Sequence, residues 1–202
     1  MVTLSKSLVK KLYNKNKLST IKIAEKLKTT PWTVLGFMAR HNIPRRTFKE
    51  ANQICFENKK LTFYLKKRLS AKDKKLKLAG VFLYWAEGAK ANGKNCSVDF
   101  ANSNPEMIKI FVRFLREICG VDEKRLRVFL YCYADQDIEN IKNYWYSLTN
   151  IPKSQFSKPY VKKDFLPEKS GKMKYGLAHI RYADKKLLYQ IDNWIKEYCK
   201  KI

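Results

Sequence analysis

The chain has 202 residues, 45% of them hydrophobic, which is enough for a sizeable core and too much for a disordered polymer. Lys and Arg number 43 against 18 Asp and Glu, a net charge of +25. Such an excess costs self-repulsion and points to a phosphate-bearing partner rather than to a metabolic enzyme. No run of about 18 apolar residues exists to span a membrane, and the basic stretch Met1 to Lys11 lacks the apolar segment of a secretory signal.

The five cysteines (Cys55, Cys96, Cys119, Cys132, Cys199) form no CxxC pair, and only His41 and His179 are present, so a zinc site is not expected. The cysteines read as reduced thiols, mostly core filler, in a cytoplasmic protein, with a nucleoid-associated or organellar-matrix location as the alternative. No small-molecule cofactor is expected.

Charge is unevenly spread. Residues 1–77 carry 21 Lys or Arg against 4 Asp or Glu, and residues 78–202 carry 22 against 14. This asymmetry predicts three parts: a binding module over 1–48, a basic, helical connector over 49–77, and a larger domain over 78–202.

In the first part, Leu4, Leu8, Val9 and Leu12 recur at helical spacing. Ser19 can cap a second helix with Ile21, Ile23, Ala24 and Leu27 on its apolar face. Thr30 can cap a third, with Pro31 at its first position and Val34, Leu35 and Met38 as the buried stripe. The stretch LSTIKIAEKLKTTPWTVLGFMARHNIPRR resembles the helix-turn-helix of resolvase-like and transposase-like DNA binders. Lys28 and Thr29 stand in the turn where many such motifs have Gly. The resemblance implies that helix 31–41 enters the major groove, with Thr30, Trp32, Thr33 and Arg40 at bases or phosphates and Arg45 and Arg46 reaching a neighbouring backbone or minor groove.

The connector, KEANQICFENKKLTFYLKKRLSAKDKKLK, has no Pro or Gly, so it is not a flexible linker. Phe56, Leu61, Tyr64 and Leu65 are its apolar contacts, and Ser70 with Asp73 makes a capping box for the next helix.

The third part reads as mixed α and β. A helix ends near Gly88, a short turn region with Asn92 and Gly93 follows, and a strand runs over 96–101. Asn104 caps a helix over 105–119, which Gly120 closes. Residues 125–133 alternate: Leu126, Val128, Leu130 and Cys132 face one way, and Arg125, Arg127, Phe129, Tyr131 and Tyr133 the other. An Arg and aromatic outer face is what a sheet lying on nucleic acid needs. A helix from Asp137 to Leu148, a last strand over 175–182 and a helix capped by Asp184 complete the domain.

LAGVFLYWAEGAK followed by VDFANSNPEMIKIFVRFLREICGV resembles the LAGLIDADG homing endonucleases, with one copy of the motif. The implied fold is α+β: a three-helix helix-turn-helix module followed by an αββαββα domain, its first strand a short one between Gly88 and Asn95, with an insertion around 134–172. The family cleaves both strands of DNA with divalent metal, Mg²⁺ or Mn²⁺, and single-motif members act as homodimers. By this resemblance Glu87 is the metal-binding catalytic carboxylate, Lys90, Asn102 and Asn104 assist catalysis, His179 and Arg181 touch double-stranded DNA, and helix 78–88 pairs the two copies. The motif's central small residue is replaced by Phe82, and Ala79 or Gly80 is the substitute for close helix packing. A DNA-binding regulator that has lost cleavage and a maturase-like RNA binder are the rival readings.

Overall fold

The protein, described here from a computed structural model over residues 4–90, 95–162 and 173–201, divides into two units, Met1–Lys60 and Leu61–Ile202. Its described residues form eight α-helices and a four-stranded mixed sheet, an α+β fold. Among them, no helix is long and apolar enough to cross a membrane.

The first unit holds four helices. Ser5 caps α1 (Lys6–Lys10), which widens into a π-type turn at Lys11–Lys15. Ser19 and Thr30 cap α2 (Thr20–Lys26) and α3 (Pro31–Arg40) through their hydroxyls. Val9, Leu12, Tyr13, Ile23, Ala24, Leu27, Val34, Phe37, Met38 and Ile43 make the core. Phe37, not Leu35, fills the third position of the α3 stripe, because 34, 37 and 38 share a face at 3.6 residues per turn. Ile21, expected inside, is exposed. In the turn between α2 and α3, Lys28 takes the left-handed conformation itself, at φ 49°. Thr29 N–H then closes the turn on the Ala24 carbonyl at 2.9 Å.

The expected boundary at residue 48 and the helical connector over 49–77 are both corrected. Thr47 and Glu50 form a capping box for α4 (Phe48–Asn58), which belongs to the first unit. Residues 61–69 carry no helix and belong to the second unit. There, Tyr64 N–H and Lys66 N–H bond the carbonyls of Gly120 and Ile118 at 2.9 Å, and Phe63, Leu65 and Leu69 pack on the core. Apolar side chains with a buried destination have overridden a merely charged helical pattern.

In the second unit α5 (Ala71–Glu87) starts at the predicted Ser70–Asp73 capping box. Asp73 also accepts from Lys66 Nζ at 2.9 Å, and that bond, with those from Ser70, holds its carboxyl at about 2. Then come β1 (Val98–Asn102), α6 (Pro105–Arg113) running into a π-type turn at Phe114–Ile118, β2 (Leu126–Tyr133), α7 (Ile138–Thr149), β3 (Tyr160–Lys162), β4 (Leu177–Tyr182) and α8 (Lys185–Cys199). The sheet order is β1-β4-β2-β3, antiparallel except for the β2–β3 pair.

The strand expected between Gly88 and Asn95 is reduced, among the described residues, to the Gly88–Phe100 bridge; residues 91–94 lie outside them. The stretch expected as an insertion is part of the fold. Ile141, Trp145 and Ile151 are in the core, and Trp145 Nε1 donates to the Tyr175 carbonyl at 2.7 Å.

The core fills one face of the sheet, from Val98, Phe100, Leu126, Val128, Leu130, Cys132, Ala178, Ile180 and Tyr182 to the helices. Gly80 belongs to this core: a Cβ there would lie 2.1 Å from Phe114 Cγ. It lets α5 approach the end of α6 within the chain, so the expectation that Gly80 serves a contact between copies is corrected. Of the cysteines only Cys119 and Cys132 are buried; Cys55, Cys96 and Cys199 are exposed, so core filler describes the minority.

Candidate nucleic-acid interface

The second face of the sheet carries the alternate residues of each strand. Strand register arranges them in rows: Asp99–Arg181–Arg127, then Ala101–His179–Phe129, then Leu177–Tyr131–Tyr160, with Tyr133 beside Lys162. These side chains are half-buried or exposed, while their neighbours in sequence are mostly buried on the core side.

Asp99 organises the first two rows. Arg181 donates to its Oδ2 from Nε at 2.9 Å and from Nη2 at 2.5 Å, and His179 Nδ1 lies 3.1 Å from Oδ1. Burial pushes the Asp99 carboxyl up, but the His179 and Arg181 bonds and charges outweigh it and hold it below the ordinary carboxylate range. Arg181 also lies over the Phe129 ring, 4.2 Å from its centroid. Tyr131 stands 5.0 Å, centroid to centroid, from both His179 and Tyr160. One guanidinium nitrogen of Arg127 bonds the carbonyls of Lys124 and Leu126 at 2.8 and 2.7 Å; its other two have no partner among the described residues.

Arg125 is the exception. It ends a 3-10 turn (Glu123–Arg125) rather than beginning β2, and its guanidinium lies near the Tyr182 ring and donates to the Ala183 carbonyl at 2.8 Å. Its place on the outer face is therefore corrected. Asp99, Tyr160 and Lys162 belong to the face and were not among the expected contacts. The alternation Val98, Asp99, Phe100 already carried the signal for Asp99; nothing in the sequence around Tyr160 marks a strand as short as β3.

The end of α5 abuts the edge strand of this face. Ala89 N–H bonds the Asp99 carbonyl at 2.9 Å. Beneath the turn, Tyr84 is fully buried, its hydroxyl donates to the Ala89 carbonyl at 2.6 Å, and a Cβ on Gly88 would lie 2.4 Å from its ring. Glu87 is the last residue of α5, exposed and without a partner among the described residues.

Lys90 Nζ bonds the Tyr84 and Trp85 carbonyls, closing the helix end with positive charge. Asn102 Oδ1 accepts from Asn104 N–H at 2.8 Å, and Asn104 Oδ1 accepts from the Glu106 and Met107 N–H groups, capping α6. Both asparagine carbonyls therefore serve the turn. Among the described residues no three His, Cys, Asp or Glu side chains gather as a metal-holding group.

In the first unit, Trp32 (82% exposed), Thr33, Gly36 and Arg40 line the outer side of α3. Thr30 caps that helix, its hydroxyl 2.9 Å from that of Thr33. Arg45 is exposed and free of partners among the described residues. Arg46 is not a free contact: it lies over the Tyr13 ring at 4.0 Å, and its guanidinium bonds the Tyr13 and Lys17 carbonyls. Chain packing has taken up this arginine. No family model, no curated protein and no solved structure matches the chain.

Proposed function

We propose that the protein is a site-specific DNA endonuclease of the homing type. In this reading α2 and α3 form a helix-turn-helix that binds one part of the target, and the outer face of the sheet binds another. Glu87 is the catalytic carboxylate. The observation that carries the reading is Glu87 itself: an exposed, unpartnered carboxylate at the end of α5, on a turn bonded to the edge strand of the basic, aromatic face.

A single carboxylate fits Mg²⁺ or Mn²⁺, which are held by one or two carboxylates together with substrate phosphates. When bound, such an ion neutralises phosphodiester charge and activates water. This chain's own residues do the rest. Glu87 offers a hard oxygen ligand, Tyr84 and Gly88 fix the turn that carries it, and Arg127 and Arg181 bring positive charge to the backbone.

Two copies supply two carboxylates for two strands. The outer side of α5, with Leu78 (42% exposed), Ala79, Phe82, Trp85 (41%) and Ala86, is the apolar stripe that would join them.

A second reading, a DNA-binding regulator without cleavage, is favoured by Lys90. A carboxylate at a helix C-terminus needs an offsetting positive charge, and the Lys90 ammonium on the Tyr84 and Trp85 carbonyls provides it without a metal. The test is plasmid linearisation with Mg²⁺, against EDTA, on DNA flanking the gene's own locus. Site-specific cutting by the wild type, abolished in Glu87→Gln with binding retained, supports the endonuclease. Specific binding without cutting in Mg²⁺ or Mn²⁺ transfers the reading to the regulator.

A further inference from the structure

We propose that the outer face of the sheet binds single-stranded nucleic acid, stacking unpaired bases on Tyr160 and Tyr131 and holding the backbone with Arg127, Arg181 and Lys162. The inference rests on the nucleic-acid reading of this face and not on cleavage by Glu87.

The aromatic groups form a ladder across three adjacent strands. Tyr160 on β3 stands 5.0 Å from Tyr131 on β2, which stands 5.0 Å from His179 on β4. The two tyrosines are 58% and 43% exposed. Their hydroxyls have no partner among the described residues, so no internal hydrogen bond explains their place at the surface. Isolated exposed aromatics are ordinary; two in contact on an open sheet, with a histidine continuing the row, make a platform.

Charge surrounds the platform. Arg127 and Lys162 are exposed, and Arg181 lies two rows from Tyr131, next to the His179 row. Asp99 is the acidic side chain in these rows, and its carboxylate is already paired with Arg181 and His179. Among the described residues of these rows, the face thus presents cations and exposed rings, and its one carboxylate is paired.

Base stacking decides between a single strand and a duplex. In a duplex the faces of the bases cover one another, and a protein ring meets only edges and sugar-phosphate. Unpaired bases leave their faces open to aromatic side chains, at a gain that is nearly independent of sequence. A ladder of exposed rings is used fully only by the second kind of partner. DNA and RNA strands share this chemistry, and the 2′-hydroxyl is what separates them.

The experiment measures fluorescence anisotropy with the full chain at fixed salt. The probes are a labelled 12-nucleotide DNA strand, the RNA strand of the same sequence, and the matching DNA duplex. Tyr131→Ala with Tyr160→Ala is expected to weaken binding of at least one single strand tenfold or more, with a clearly smaller loss for the duplex, whose base faces are covered. Tyr131→Phe with Tyr160→Phe, which keeps the rings and guards against misfolding, is expected to retain single-strand binding. Whichever sugar form shows this dependence identifies the source. Single-strand binding unchanged in the double alanine variant, or an equal loss for the duplex, overturns the proposal. Glu87-dependent linearisation is a separate readout, so failure of either reading is seen independently.

Discussion

Replacing Gly36 by Ala is expected to make the protein more stable and a weaker DNA binder. Gly36 lies within α3, on the exposed side between Trp32 and Arg40, and a Cβ built there meets nothing within 4 Å. The methyl group therefore neither clashes nor packs, and the change isolates intrinsic helix propensity. Alanine is better than glycine in a helix interior by about 1 kcal/mol. For a unit of about this size that corresponds to a melting temperature higher by roughly 4–8 °C. In urea, with a slope of about 1 kcal/mol/M, the midpoint rises by about 1 M.

A glycine retained at that cost is explained if something approaches the helix backbone between Trp32 and Arg40. With DNA in that place, the methyl group separates the helix from phosphates or base edges. Losing one charge-assisted hydrogen bond of about 1.5 kcal/mol weakens binding about tenfold. The assays are urea denaturation and anisotropy with duplex DNA carrying the target. A destabilised variant would contradict the open position of Gly36. A stabilised variant with unchanged affinity would refute α3 as the DNA-facing helix.

Three other outcomes are expected. Lys28→Gly relieves a left-handed lysine at φ 49° and should stabilise the first unit by about 1 kcal/mol, read as a higher urea midpoint. Gly80→Ala places a Cβ 2.1 Å from Phe114 Cγ and should destabilise the second unit by about 3 kcal/mol in the same assay. Asp99 has a carboxyl pKa below the usual 3.8 in the folded protein, so its contribution is present above that value and is lost as pH falls through the lower folded one. The urea midpoint of the wild type should therefore fall more steeply below about pH 4 than that of Asp99→Asn; parallel profiles would remove the Arg181 and His179 pairing as its cause.

Local rules made much of the molecule legible in its sequence. Ser19, Thr30, Ser70, Asn104 and Asp184 cap the helices they were expected to cap, because a side-chain oxygen beside a free N–H is a matter of a few neighbouring residues. The alternation over 126–133 is equally local, and it put Arg127, Phe129, Tyr131 and Tyr133 on one face before any partner strand was known. Glu87 at a helix end could be read in the same way.

What failed to show in the sequence depends on distant segments. Arg46 reads as a free cation until Tyr13 is seen to lie beneath it. Lys90 reads from the resemblance as a catalytic helper, and its bonds to the carbonyls of α5 show only in the folded chain. Residues 61–69 read as helix until Gly120 and Ile118 offer backbone partners. The amino-acid sequence by itself determined the α+β class, the helix starts and the basic character. Tertiary structure decided which basic and aromatic groups remain free, because a side chain's availability depends on what the rest of the chain brings beside it. Asp99, drawn into the pairing with Arg181 and His179 only when β1 meets β4, is the clearest case.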